Sequence, residues 1–133
     1  MRRAGRLGVN VVLDAGALIA IDKRNRKVGA ILRLLQRDQV VLRTSAGAVA
    51  QVWRSGARQA NLARVLRGLD VVAVDETDAK SVGELLAVNE TNDLVDAHVA
   101  LLVEPEGTVL TSDVGDIDAL LQSRRVEATV LRV

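Results

Sequence analysis

Five aspartates in this chain are spaced so that they could do chemistry together. Asp14 follows directly on the apolar run Val9–Leu13. Asp93 and Asp96 stand one helical turn apart and open an apolar, helix-forming stretch. Asp113 and Asp116 are also one turn apart and follow Val109–Leu110, with Thr111 and Ser112 between. Carboxylates brought close together repel one another unless a cation lies among them. Hard oxygen ligands with no sulfur and no paired imidazole suit Mg²⁺ or Mn²⁺ rather than zinc. A cation held in this way makes water more acidic and offsets charge on a phosphate under attack. Each pair also has a plain structural reading, as a helix N-cap with a second acid in the first turn. Asp14 at the end of an apolar strand fits that reading less well, and the three places together favour a metal site.

The composition excludes much else. The chain has 133 residues and a formal net charge of +1, a length that predicts one domain over residues 1–133. With no cysteine there is no disulfide and no thiolate zinc site, and the single histidine, His98, rules out a multi-histidine centre within one chain. No Tyr or Phe is present and Trp53 is the one aromatic, so stacking of bases on an aromatic platform is excluded as a binding mode. The sequence also has no Gly-Lys-Ser/Thr phosphate loop. Gly16 stands where an Asp-x-Asp phosphatase would need its second acid, and no lysine follows Lys80 to serve a receiver domain. The basic start Met1–Arg6 leads into an apolar run that Asp14 cuts short. This is too short and polar for a signal peptide, and no membrane span is expected, so the expected location is the cytoplasm.

The small net charge hides two unlike halves. Residues 1–70 hold 14 Lys/Arg and 4 Asp/Glu, a balance of +10; residues 71–133 hold 4 and 13, a balance of −9. This division predicts a bipolar surface, one side suited to cations and the other to anions. Arg24, Arg26 and Lys27 open one basic helical stretch, and Arg54, Arg58, Arg64 and Arg67 follow on two more. Arg54 and Arg58, four residues apart, would share a helix face and are the candidate grip on a phosphate backbone. The alternative is a set of solvated helix faces.

The elements that must position these residues alternate. Strands are predicted at Val9–Leu13, Val40–Leu42, Val71–Val74, Val109–Leu110 and Ala128–Val133. Helices are predicted over Arg24–Gln36, with Val28, Ile31, Leu32, Leu34 and Leu35 inward, and from a Thr44 or Ser45 cap through Arg54, ended by Gly56. Others are predicted over Gln59–Arg67, over Asp75–Ala87 with Ala79, Val82, Leu85 and Leu86 inward, over Asp93–Val103 and over Asp116–Gln122. This βαβ rhythm predicts an α/β fold with a central, mostly parallel five-stranded sheet covered on both faces. Ligands of such sheets bind beyond the carboxyl ends of the strands, where Asp14 and Asp113 fall. If the first and fourth strands are neighbours, all five carboxylates converge there. Trp53 is expected in the core or at a dimer interface, and His98 is expected to be packed beside the site.

Three segments resemble the motifs of PIN domains. Val11-Val12-Leu13-Asp14-Ala15-Gly16-Ala17-Leu18-Ile19-Ala20 resembles the first, Asp93-Leu94-Val95-Asp96-Ala97-His98-Val99-Ala100 the third-acid helix, and Thr108-Val109-Leu110-Thr111-Ser112-Asp113-Val114-Gly115-Asp116 the last. Their order, spacing and the chain length are similar to those of VapC-like toxins of bacterial toxin–antitoxin pairs, from about Val9 to Val133. The resemblance implies a three-layer α/β/α sandwich and a metal-dependent endoribonuclease that hydrolyses RNA phosphodiesters with Mg²⁺ or Mn²⁺. It implies that Asp14, Asp93 and Asp113 are metal ligands, directly or through water, with Asp116 a further ligand or a water-positioning group. Asp96 is a supporting candidate, and Thr111 and Ser112 would orient the carboxylates. A homodimer and a small VapB-like antitoxin are the implied partners. One position departs from the pattern: Gln51 stands where the family's second acid, a Glu, is expected. It offers a carbonyl oxygen but no charge, so the alternative is a weakened PIN-like module that binds RNA or protein.

Overall fold

Val11, Val12 and Leu13 are adjacent aliphatic residues, so a strand built from them must be covered on both faces. They form β1 (Asn10–Leu13), buried along its whole length. The computed structural model describes residues 10–133; Val9 and the basic start Met1–Arg6 lie outside the described residues. β1 is flanked by β2 (Val41–Ser45) and β4 (Thr108–Thr111), with β3 (Asp70–Val72) and β5 (Thr129–Arg132) at the edges. The strand order is β3-β2-β1-β4-β5 and all four pairings are parallel.

Alternate side chains of the central strands enter different layers. Val11, Leu13, Leu42 and Leu110 pack under α1 (Ala15–Asp22), α2 (Arg26–Arg37), α3 (Ala46–Val52) and α4 (Ala60–Leu66), against Leu18, Val28, Val52 and Leu62. Val12 and Val109 pack under α5 (Glu76–Asn89), α6 (Leu94–Leu102) and α7 (Val114–Arg124), against Val82, Val99, Ile117 and Leu120. The expected α/β/α sandwich is therefore the observed one. The layers also divide the charge, because α1 to α4 come from the basic part of the sequence and α5 to α7 from the acidic part. Among the described residues no helix is long and apolar enough to cross a membrane.

Several boundaries differ from the sequence reading, each for a local reason. α2 begins at Arg26 because the Asn25 side chain accepts the Val28 N–H at 3.1 Å. Leu34 faces solvent, 57% exposed, and Ala79 is exposed as well, so neither faces inward as expected. β3 ends at Val72, and Val74 is exposed ahead of the Asp75 capping box that starts α5. α7 begins at Val114, two residues before Asp116.

The largest difference is at α3, which stops at Val52 rather than running to Arg54. Gln59, 7% exposed, stops it. Its side-chain oxygen accepts the N–H groups of Arg54 (2.6 Å) and Ser55 (3.0 Å), and its amide donates to Val52 O (3.0 Å) and Asp22 Oδ2 (3.2 Å). One buried amide thus satisfies backbone groups that a continuing helix would have paired. Arg54 and Arg58 consequently lie on the connection between α3 and α4 and do not share a helix face. Trp53 leaves the helix with ψ 131° and is 37% exposed over Gly56, so it is not a core residue.

Two stability changes test this reading. Gln59→Ala leaves three backbone groups unmatched and should cost about 2–3 kcal/mol in chemical denaturation; an unchanged midpoint would show that water replaces the amide freely. Glu90 ends α5 in the left-handed region at φ 55°. That conformation costs a side chain about 1 kcal/mol, so Glu90→Gly should raise the melting temperature by about 3–5 °C. A lower melting temperature would contradict that account.

Candidate functional site

The register sets the site. Leu13 pairs with Thr44 on one side and Leu110 on the other, and the Asp14 N–H donates to Leu110 O at 3.1 Å. One residue further on, Asp14, Ser45 and Thr111 form a row of buried polar side chains across the carboxyl end of β1, β2 and β4. Asp14 caps α1, one oxygen accepting the Ala17 N–H at 2.9 Å. Its other oxygen accepts the Thr111 hydroxyl. Thr111 Oγ1 in turn accepts the Asp113 N–H at 2.8 Å, so one hydroxyl ties the end of β1 to the start of α7. Burial is the main influence on Asp14 and raises its pKa, against the opposing bonds from Thr111, Ala17, Ser112 and Gly16. Gly16 is required for this approach: a Cβ there would overlap Ser112 Oγ and come within 2.6 Å of Ser112 Cβ.

Beside this row, carboxylate oxygens of Asp96, Asp113 and Asp116 all lie within 4.8 Å of one another. Asp96 is half-buried, and its pKa is pushed from 3.8 up to about 7, by burial first and then by the charges of Asp93, Asp113, Asp14 and Asp116. Asp116 is also raised, by a hydrogen bond shared with Asp113 and by the Asp113 charge. The capping alternative separates the pairs. Asp93 does cap α6, accepting the Asp96 N–H at 2.9 Å. Asp113 occupies the N-cap position of α7 but makes no side-chain cap bond, so its carboxylate is turned to other use.

The five aspartates therefore do not enter on equal terms. Asp96, read from sequence as a supporting residue, is in the closest group, while Asp14 and Asp93 stand outside it with one oxygen each engaged in a cap. Gln51 lies exposed in the last turn of α3. Ser112 is exposed, and its carbonyl accepts from the Arg132 guanidinium at 3.3 Å. Arg54 folds back onto Trp53 O (2.7 Å) and Ala50 O (3.3 Å), and Arg58 is exposed.

His98 is 1% exposed, and its Nδ1 lies 2.6 Å from Ser45 Oγ, which also accepts the Gly47 N–H as the cap of α3. Burial lowers the His98 pKa. Nε2 is buried without a partner, which suits a neutral ring that packs and positions Ser45.

Oxygens on opposite sides of one divalent ion stand about 4–5 Å apart. The spacing of Asp96, Asp113 and Asp116, their charge and the raised pKa values of Asp96 and Asp116 thus fit a hard cation. No protein-family model matches the chain, and no curated protein matches it in sequence. Among solved structures it is similar to a chain of VapBC2 from Rickettsia felis bound to a DNA fragment from their promoter. The identity is 15%, the match covers 94% of this chain and 99% of that one, and the TM-score is 0.66. The two share a fold.

The raised carboxylates set the pH dependence of stability. Unfolded Asp96 loses its proton near pH 3.8 and folded Asp96 near 7. Over that interval the native state binds more protons, so the stability of metal-free protein falls as pH rises. Asp14, also raised, acts in the same sense. The melting temperature should drop between about pH 4 and pH 7, and Asp96→Asn should flatten the slope. A slope unchanged by Asp96→Asn would show that Asp96 ionises normally.

Proposed function

We propose that this protein is a metal-dependent endoribonuclease of PIN type, similar in kind to the VapC component of a type II toxin–antitoxin pair. The supporting observation is the group of Asp96, Asp113 and Asp116 oxygens within 4.8 Å at the carboxyl end of a parallel sheet. Capping does not use the Asp113 side chain, and like charges at that spacing call for a cation.

Asp96, Asp113 and Asp116 would hold Mg²⁺ or Mn²⁺, with Asp96 providing the charge that Gln51 does not. The bound ion supplies charge neutralisation at a phosphodiester and a more acidic water. Asp14 and Asp93 would complete the set, directly or through water, since each carboxylate oxygen has more than one lone pair. Thr111 fixes Asp14 and the backbone at Asp113, so both carboxylates are oriented before substrate arrives. Ser112 belongs to the same loop and is held against Gly16. Arg54 and Arg58, exposed beyond α3, remain the candidate grip on an RNA backbone in this reading. A homodimer and a small VapB-like antitoxin are the partners this reading carries, with the cytoplasm as its location.

Incubation of pure protein with single-stranded RNA and Mn²⁺ should give cleavage that EDTA abolishes. Asp113→Asn should reduce the rate at least roughly 100-fold, and Gln51→Glu should raise it. Cleavage that survives both EDTA and Asp113→Asn would refute the proposal. RNA binding without any metal-dependent cleavage would support the weakened module instead.

A further inference from the structure

A groove of about 570 Å³ lies between α2 and α4, outside the acidic group. Four arginines line it, Arg24, Arg26, Arg33 and Arg64, and no carboxylate does. All four are exposed. The ion pairs among the described residues are Arg43–Asp70 and Lys80–Glu76, so none of the four takes part in one. Two of the guanidiniums are guided by their neighbours. Arg64 donates to Asn61 Oδ1 at 2.6 Å, and Asn61 is anchored by donating to Ile21 O at 2.8 Å. Arg33 lies along α2 over Gly29, its Nη1 3.5 Å from where a Cβ would stand.

We infer that this groove is a binding subsite for the phosphate backbone of single-stranded RNA. Guanidiniums match phosphate oxygens in a bidentate fork, and four of them line one space with no ion pair to any of them among the described residues. The amides of Asn25 and Asn61 add polar groups suited to sugar hydroxyls. An acidic peptide with an apolar anchor fits less well. Two of the three aliphatic side chains at the groove, Ile21 and Leu32, are 3% and 5% exposed and offer little surface to bury.

Hydrogen bonds link the start of α2, which lines the groove, to the acidic end of the sheet. Lys27, beside Arg26, donates to Arg132 O at 2.8 Å, and Arg132 donates to Ser112 O, next to Asp113. The eight residues of α1 separate Asp14 from Arg24's turn, about 12 Å of helix. A stacked strand covers that in about three to four phosphates. The choice of RNA as ligand rests on the nuclease reading; the need for an anion does not.

The test is fluorescence anisotropy of a labelled single-stranded RNA of about 12 nucleotides, in EDTA so that nothing is cleaved. Arg26→Ala/Arg64→Ala should weaken binding at least roughly tenfold and lower the slope of log affinity against log salt by about 1.4. Lys80→Ala, on α5 in the opposite layer, should bind as the unaltered protein does. Arg33→Glu alone gives the same readout if the double variant fails to fold. Unchanged affinity in folded arginine variants overturns the inference, as does absence of binding by the unaltered protein. Tighter binding of an oligo-glutamate peptide than of the RNA also overturns it and assigns the groove to an acidic protein segment. Arginine-dependent binding without metal-dependent cleavage leaves the groove standing and removes the nuclease reading alone.

Discussion

The carboxyl end of the sheet depends on how the buried carboxylate of Asp14 is satisfied. A carboxylate 3% exposed must be matched by donors. It obtains them from the first turn of α1 and from the Thr111 hydroxyl. Because Thr111 also receives the Asp113 N–H, satisfying Asp14 fixes where α7 starts and hence where Asp113 and Asp116 stand. Close contact of Gly16 with Ser112 packs the two loops together. The positions of the acids thus follow from a polar requirement at the end of β1, transmitted through one side chain of β4.

The same arrangement stores repulsion. Asp96, Asp113 and Asp116 are held close by strands and helices whose apolar side chains, Leu110, Val109 and Ile117 among them, are fully buried. Folding energy from the two cores keeps together charges that would otherwise move apart, and the rise of Asp96 to about 7 reflects its burial first and then that repulsion. On the proposed reading such a site would be prepared for a cation before one arrives. Exposure of Asp113 and Asp116 leaves it open to solvent.

Charge is also organised at the scale of the fold. The basic portion of the chain forms the α1 to α4 layer and the acidic portion the α5 to α7 layer, with the sheet between them. An anionic strand would therefore be attracted to one side of the molecule while a cation is drawn to the other. They would meet at the carboxyl end of the strands. His98 joins the layers at that end, since it sits on α6 and holds the Ser45 cap of α3.

The sequence by itself determined the fold class, because adjacent aliphatic residues such as Val11–Leu13 require cover on both faces and the intervening segments carry helical periodicity. It also singled out Asp14, Asp93, Asp96, Asp113 and Asp116, because an acid directly after an apolar strand is conspicuous along the chain. It placed Arg54 and Arg58 on a helix, because nothing local reveals that Gln59 folds back to end α3. Which aspartates approach most closely was decided only by tertiary structure. Helical spacing cannot tell a capping carboxylate from a free one, and that choice depends on Thr111 taking the Asp113 N–H. The arginine groove was decided there as well, since Arg24 and Arg64 are distant in sequence and meet only because α2 and α4 both pack on α1.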